Sequence, residues 1–153
     1  DGPKELKETE LRNLTEPLII LGDAGMGKSV LLERLSEHAE YQFCTARQLI
    51  RRNKPCTILG NARVLVIDAL DEVSSQKAGA AVDSVLQKLQ ELDYPAFILS
   101  CRIEDWQSAT GVASITEDYS KKPIELHLMP FSDNDIQNFL SLSLGDIQSK
   151  AVI

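Results

Sequence analysis

The residues best suited to chemistry in this chain form one run of eight, Gly22-Asp23-Ala24-Gly25-Met26-Gly27-Lys28-Ser29. Three glycines let the backbone turn tightly and bring its N–H groups onto an anion, where a Cβ would intrude. Lys28 follows the last glycine and can reach the β- and γ-phosphates, while the Ser29 hydroxyl is a hard oxygen ligand suited to Mg²⁺. The spacing is that of G-x-x-x-x-G-K-[ST], the loop that cradles the phosphates of a nucleoside triphosphate. The pattern carries this meaning only between a strand and a helix. Leu18-Ile19-Ile20-Leu21 supplies the strand, and an apolar-periodic stretch from Val30 supplies the helix, whose positive end faces the same anion. Gly22, Asp23, Ala24, Gly25, Met26, Gly27, Lys28, Ser29 and Val30 are therefore the candidate nucleotide-binding residues, with Lys28 also a catalytic candidate and Ser29 a metal ligand.

A second group is acidic. Val64-Leu65-Val66-Ile67 is an unbroken apolar run of the kind a strand covered on both faces requires, and it ends at Asp68. A carboxylate at the tip of a buried strand beside such a loop is placed to hold Mg²⁺, and Asp68 is assigned that role. Asp71 and Glu72 stand just beyond, where either can accept a proton from an attacking water. Glu72 is preferred as the base, with Asp71 able to orient metal-bound water. Three acids this close repel one another unless a cation is present. Arg102 closes the apolar run Ala96–Leu99 and can sense or stabilise the γ-phosphate, or else pair with Glu104 or Asp105 at the surface.

Several elements must position these groups. Expected are a lead-in helix through Glu5–Leu11, strands at Leu18–Leu21, Tyr41–Cys44, Val64–Ile67, Ala96–Leu99 and Ile124–Leu128, the last at an edge. Helices are expected from Lys28 to about His38, around Ala46–Arg51, and through Val82, Val85, Leu86, Leu89 and Leu92, whose spacing lines one face. Val30, Leu31 and Leu35 are expected in the core, and Trp106 is expected to pack. Ser132 has the position of an N-cap, with Phe131 and Ile136 as a hydrophobic staple. Strands alternating with helices predict a three-layer α/β/α fold around a mainly parallel five-stranded sheet, with ligands at the carboxyl ends of the strands.

Bulk properties narrow the function. The 153 residues suit one domain with a sizeable core. A net charge of −7 argues against nucleic acid as the main partner. Cys44, Cys56 and Cys101 have neither even number nor metal-ligand spacing, which points to a reducing, cytoplasmic setting. No apolar run is long enough to span a membrane. The start at Asp1 and stop at Ile153 suggest a piece of a longer protein. Asn53-Lys54-Pro55-Cys56 lacks the carboxylate of an N-K-x-D guanine reader and precedes the acidic strand, so GTP specificity is not expected. His38 and His127 are isolated, and Arg47, Arg51 and Arg52 read as a solvated basic face, with a contact to a neighbouring subunit's nucleotide as the sharper alternative.

Four segments together resemble the NACHT branch of the STAND signalling ATPases: GDAGMGKS at 22–29, VLVIDALDEV at 64–73, FILSCR at 97–102 and ELHLMPFSDNDIQNFL at 125–140. Asp68, Ala69, Leu70, Asp71 and Glu72 match the family's strand ending position by position, with Ala69 where Gly is commoner. FILSCR resembles the family's apolar strand with a small hydroxyl residue and a sensor arginine. The stretch between Lys28 and Asp68 is short for the family. The resemblance implies an ASCE-type P-loop NTPase core over 17–130, preceded by a lead-in segment at 1–16 and followed at 131–153 by the start of a helical lid. It further implies an ATP/ADP switch with Mg²⁺, slow ATP hydrolysis, self-association through the full-length protein, and service in bacterial antiviral defence or innate immunity. The alternatives are a nucleotide-binding scaffold with negligible hydrolysis, or a P-loop small-molecule phosphotransferase.

Overall fold

A computed structural model of the chain describes residues 8–11, 15–23, 27–68, 78–106 and 109–128. Its elements in chain order are α1 (Glu8–Leu11), β1 (Leu18–Leu21), α2 (Lys28–Leu35), β2 (Tyr41–Thr45), α3 (Ala46–Arg51), α4 (Cys56–Leu59), β3 (Val64–Asp68), α5 (Ala78–Glu91), β4 (Ala96–Cys101), α6 (Ile103–Trp106), α7 (Ala109–Tyr119) and β5 (Ile124–His127).

The five strands form one sheet in the order β2-β3-β4-β1-β5, and every pairing is parallel. Parallel strands covered on both faces need apolar residues at every position rather than at alternate ones. In β1, all four residues are buried, and β3 and β4 are buried along nearly their whole lengths. Alternation then divides each strand between two cores. Ile19, Leu21, Leu65, Ile67, Phe97, Leu99 and Cys101 face one side and pack with α3, α5, α6 and α7. Leu18, Ile20, Val66 and Ile98 face the other, against Leu11 of α1 and Leu32 and Leu35 of α2. Three layers result. The strand at each end is less buried, and β5 alternates half-buried and exposed, as its alternating sequence at an edge requires.

Local signals fix the helix boundaries. Thr45 and Gln48 form a reciprocal capping box at the start of α3, with Gln48 N–H donating to Thr45 Oγ1 at 3.1 Å and Thr45 N–H to Gln48 Oε1 at 2.9 Å. After α5, Asp93 and Tyr94 adopt left-handed φ values of 62° and 54°, turning the chain back toward β4. Tyr119 of α7 locks that turn by donating to the Pro95 carbonyl at 2.9 Å and packing edge-on against Tyr94.

The structure departs from the sequence reading in three respects. The helix after the loop ends at Leu35, not near His38: Ser36 N–H still donates to the Leu32 carbonyl, but Glu37 N–H shifts to the Arg34 carbonyl at 3.3 Å, tightening the last turn. Val30, expected in the core, is 53% exposed: the inward face of α2 is set by Lys28, Leu32 and Leu35, and Val30 points away from it. Leu31 is half-buried and Leu35 fully buried. Helices α4, α6 and α7 were not anticipated. Among the described residues no helix is long and apolar enough to cross a membrane. The Asp71–Glu72 pair, the Ser132 cap and its staple lie outside the described residues.

Candidate nucleotide site

The carboxyl ends of β1, β4 and β3 share one edge of the sheet, and β4 stands between the other two. Where β1 gives way to the glycine-rich loop, it is gripped from both sides. Gly22 N–H donates to the Cys101 carbonyl of β4 at 3.3 Å, and Leu128 N–H donates to the Leu21 carbonyl at 2.9 Å. Gly22 is buried and Asp23 exposed; Ala24, Gly25 and Met26 lie outside the described residues. At Gly27 the backbone has φ of 88°, a left-handed value that favours glycine, and the next residue opens α2. No side chain caps this helix start and its first turn holds no acid, so its amide end carries no built-in anion.

Lys28 is only 9% exposed. Its Nζ donates to the Gly22 carbonyl and, at 3.2 Å, to the Asp23 carbonyl. The ammonium thus spans the loop from helix start to strand end. Two neutral carbonyls satisfy two of its three donors but leave its charge uncompensated by any acid within those contacts. That arrangement suits an arriving anion. Ser29 and Val30, one and two residues on, are exposed.

Asp68 ends β3 and is 6% exposed. Its Oδ1 accepts a hydrogen bond of 2.6 Å from Ser100 Oγ, a residue with no exposure at all. Ser100 is aligned with Ile20 of β1, so Asp68 stands two strands from the loop strand, about 10 Å at ordinary sheet spacing. Arg102, the first residue after β4, lies at the same edge and is exposed. Of the candidate residues, Gly22, Asp23, Gly27, Lys28, Ser29, Asp68 and Arg102 therefore gather at one edge, Val30 turns outward, and Asp71 and Glu72 are not among the described residues. The hard-oxygen set of Ser29 hydroxyl and Asp68 carboxylate fits Mg²⁺, which takes few protein ligands and completes its shell with phosphate and water.

Ser100, noted in the sequence as the small hydroxyl residue of FILSCR, is the group to which sequence reasoning gave no partner and no role. Its signal was present, because a hydroxyl in the fifth position of AFILSC interrupts an otherwise apolar strand. A buried hydroxyl there needs a partner, and the neighbouring strand tip offers Asp68. Trp106 is buried as expected, with Nε1 donating to Glu125 Oε1 at 2.8 Å. Burial pushes the Cys44 thiol up to about 12.

No known protein-family profile matches the sequence, and a comparison with curated proteins also found no match. Solved structures do match in fold. Domain III of the replication initiation protein DnaA from Thermotoga maritima aligns with a TM-score of 0.57 at 15% identity, over 91% of this chain and 68% of that one. AMPPCP-bound DnaA from Aquifex aeolicus gives 0.55 at 14% identity, over 90% of this chain and 48% of that one. A structure of Pif1 helicases unwinding forked dsDNA gives 0.50 at 11% identity, over 91% and 50%. The chain spans about half the length of the Aquifex DnaA and Pif1 chains it matches. These likenesses establish the fold: an all-parallel P-loop NTPase architecture of the ASCE kind, with a strand inserted between β1 and β3.

Proposed function

We propose that this chain is the nucleotide-binding core of a signalling ATPase of the NACHT type, which binds ATP with Mg²⁺, hydrolyses it slowly and uses the exchange with ADP as a switch for self-association. The observation that carries the reading is the nearly buried Lys28 ammonium, held inside its own glycine-rich loop, at the sheet edge where Asp68 ends β3. The AMPPCP bound by the Aquifex DnaA supports an adenine nucleotide as ligand. Adenine over guanine also rests on the missing guanine reader.

In this reading Gly22 to Ser29 wrap the phosphates with main-chain amides, and Lys28 exchanges carbonyl partners for phosphate oxygens. Ser29 and Asp68 hold Mg²⁺, which supplies charge neutralisation on the phosphates when bound. Ser100 keeps the Asp68 carboxylate in one orientation by donating to Oδ1. Glu72 or Asp71 takes the proton of the attacking water as its oxygen bonds to the γ-phosphorus and the bond to the β-phosphate oxygen breaks, leaving ADP and phosphate. Arg102 stabilises the charge that develops on the transferring group.

The deciding experiment is calorimetric titration with ATP, ADP and GTP, with and without Mg²⁺, followed by phosphate release on the same sample. ATP and ADP should bind, GTP should not, and slow release should vanish with Lys28→Ala and Glu72→Gln. Binding with release at background in every sample identifies a nucleotide-holding scaffold instead. Absence of nucleotide binding overturns the reading altogether.

A further inference from the structure

The net charge of −7 is an average that hides a local reversal. Between Tyr41 and Ile67 the chain carries Arg47, Arg51, Arg52, Lys54 and Arg63 and no acid, although it has 23 Asp and Glu elsewhere. The fold makes this stretch one border of the molecule: β2, an outermost strand of the sheet, with α3 and α4 packed beside it and the turn that leads into β3. All five cationic residues are exposed. On α3 the buried residues are Ala46 and Leu49, so Arg47 and Arg51, one turn apart, share the outer side. Arg47 stands just past the carboxyl end of β2, and Arg63 just before the amino end of β3, where its N–H meets the Glu40 carbonyl at 2.9 Å. The cations are thus strung along the length of a five-residue strand, about 16 Å. Among the described residues no ion pair holds any of them; the acids that flank the stretch are Glu40 and Asp68, the latter buried and accepting from Ser100.

We propose that this border docks the phosphodiester backbone of a nucleic acid without regard to base sequence. Five like charges on one border repel one another unless an external anion relieves them. Four of the five are arginines, whose planar fork matches phosphate oxygens two at a time. The neighbouring aromatics of β2, Tyr41 and Phe43, are half-buried against the core and do not offer an open platform for base stacking. A second copy of the chain fits less well. Its described acids are dispersed over α1, α2, α5, α6, α7 and β5, as at Glu10, Glu33, Glu91, Glu104, Glu117 and Glu125, and do not make one complementary strip. The inference is independent of what occupies the loop at Lys28.

The test is fluorescence anisotropy of labelled single-stranded and duplex DNA of mixed sequence, titrated with the whole chain between about 50 and 200 mM salt. Binding should weaken steeply with salt, with a log–log slope of about −3 for single strands if four or five phosphates are met. The triple reversal Arg47→Glu, Arg51→Glu, Arg52→Glu should weaken binding at least about tenfold and flatten the slope, whereas replacement of the same three by Lys should retain most of it. Reversing Lys121 and Lys122, at the opposite edge of the sheet, should change little. Unchanged Trp106 fluorescence reports that each variant is folded, and Arg51→Glu alone replaces the triple variant if that one is not. No salt-dependent binding by the wild type, equal loss in the Lys121/Lys122 variant, or undiminished binding by the reversal variant overturns the proposal. So does a concentration-dependent oligomer that the reversal abolishes in the absence of DNA binding.

Discussion

Lys28 places a full positive charge where water barely reaches, with the Gly22 and Asp23 main-chain carbonyls accepting from it. A buried ammonium is tolerated only when its donors are satisfied, and the loop carbonyls serve that purpose. Lys28→Ala should therefore weaken ATP by about 10- to 100-fold, the worth of one or two charge-assisted hydrogen bonds, in calorimetric titration. Ser100 is the complementary case. Ser100→Ala strips the donor from a buried Asp68 oxygen and should cost about 1–3 kcal/mol in denaturant unfolding. A merely structural hydroxyl would stop there; the positioning role further requires that the Mg²⁺ concentration for half-maximal phosphate release rise, and that Ser100→Thr restore it. Lys28 was legible in the sequence because it follows the last glycine of the G-x-x-x-x-G-K-[ST] spacing, and Asp68 because it closes an unbroken apolar run. Ser100 was noted only as a small hydroxyl and given no role, because its function depends on a partner 32 residues away that only strand register supplies.

Among the elements, the apolar runs at 18–21, 64–67 and 96–99 were readable because strands buried on both faces admit few polar residues. Helix α7 was not, since Thr110, Gly111, Ser114 and Thr116 dilute its pattern and its stability comes from tertiary packing. Gly111 illustrates that packing. A Cβ there would lie 3.1 Å from the Trp106 ring, which is pinned by Glu125. Gly111→Ala gains about 1 kcal/mol of helix propensity but incurs about 1–3 kcal/mol of overpacking, so thermal unfolding should move down. In a Trp106→Phe background the same change should be neutral or stabilising. If Gly111→Ala raises the Tm of the wild-type chain, the ring is not held as described. Val30 shows the opposite failing: an apolar residue inside a helix is core only when it falls on the face that the neighbouring sheet selects.

For the molecule as a whole, the core on the α3, α5, α6 and α7 side of the sheet buries both Cys44 and Cys101 while Cys56 stays exposed. Alkylation of the native chain near pH 8 should modify one thiol quickly and the other two only after unfolding. Burial raises the Cys44 thiol from 9.0 to about 12, so the unfolded chain loses that proton first as pH rises. The stabilising contribution is complete below pH 9, declines between pH 9 and 12, and should disappear from the pH profile in Cys44→Ala. Tyr119, raised by burial and then by Asp118 and Tyr94, acts in the same direction at higher pH. A flat alkaline profile in the wild type would contradict the burial of Cys44.

The pairings of β1 also govern when the loop can take shape during synthesis. Leu18 is aligned with Ile98 on one side and Ile124 on the other, so the first strand to be made waits for the two partners made last. Contacts this distant in sequence slow folding, and a nascent chain that has not yet reached Cys101 presents β1 with both margins bare. Ribosome-bound intermediates of intermediate length are consequently the forms most exposed to aggregation and most in need of chaperones.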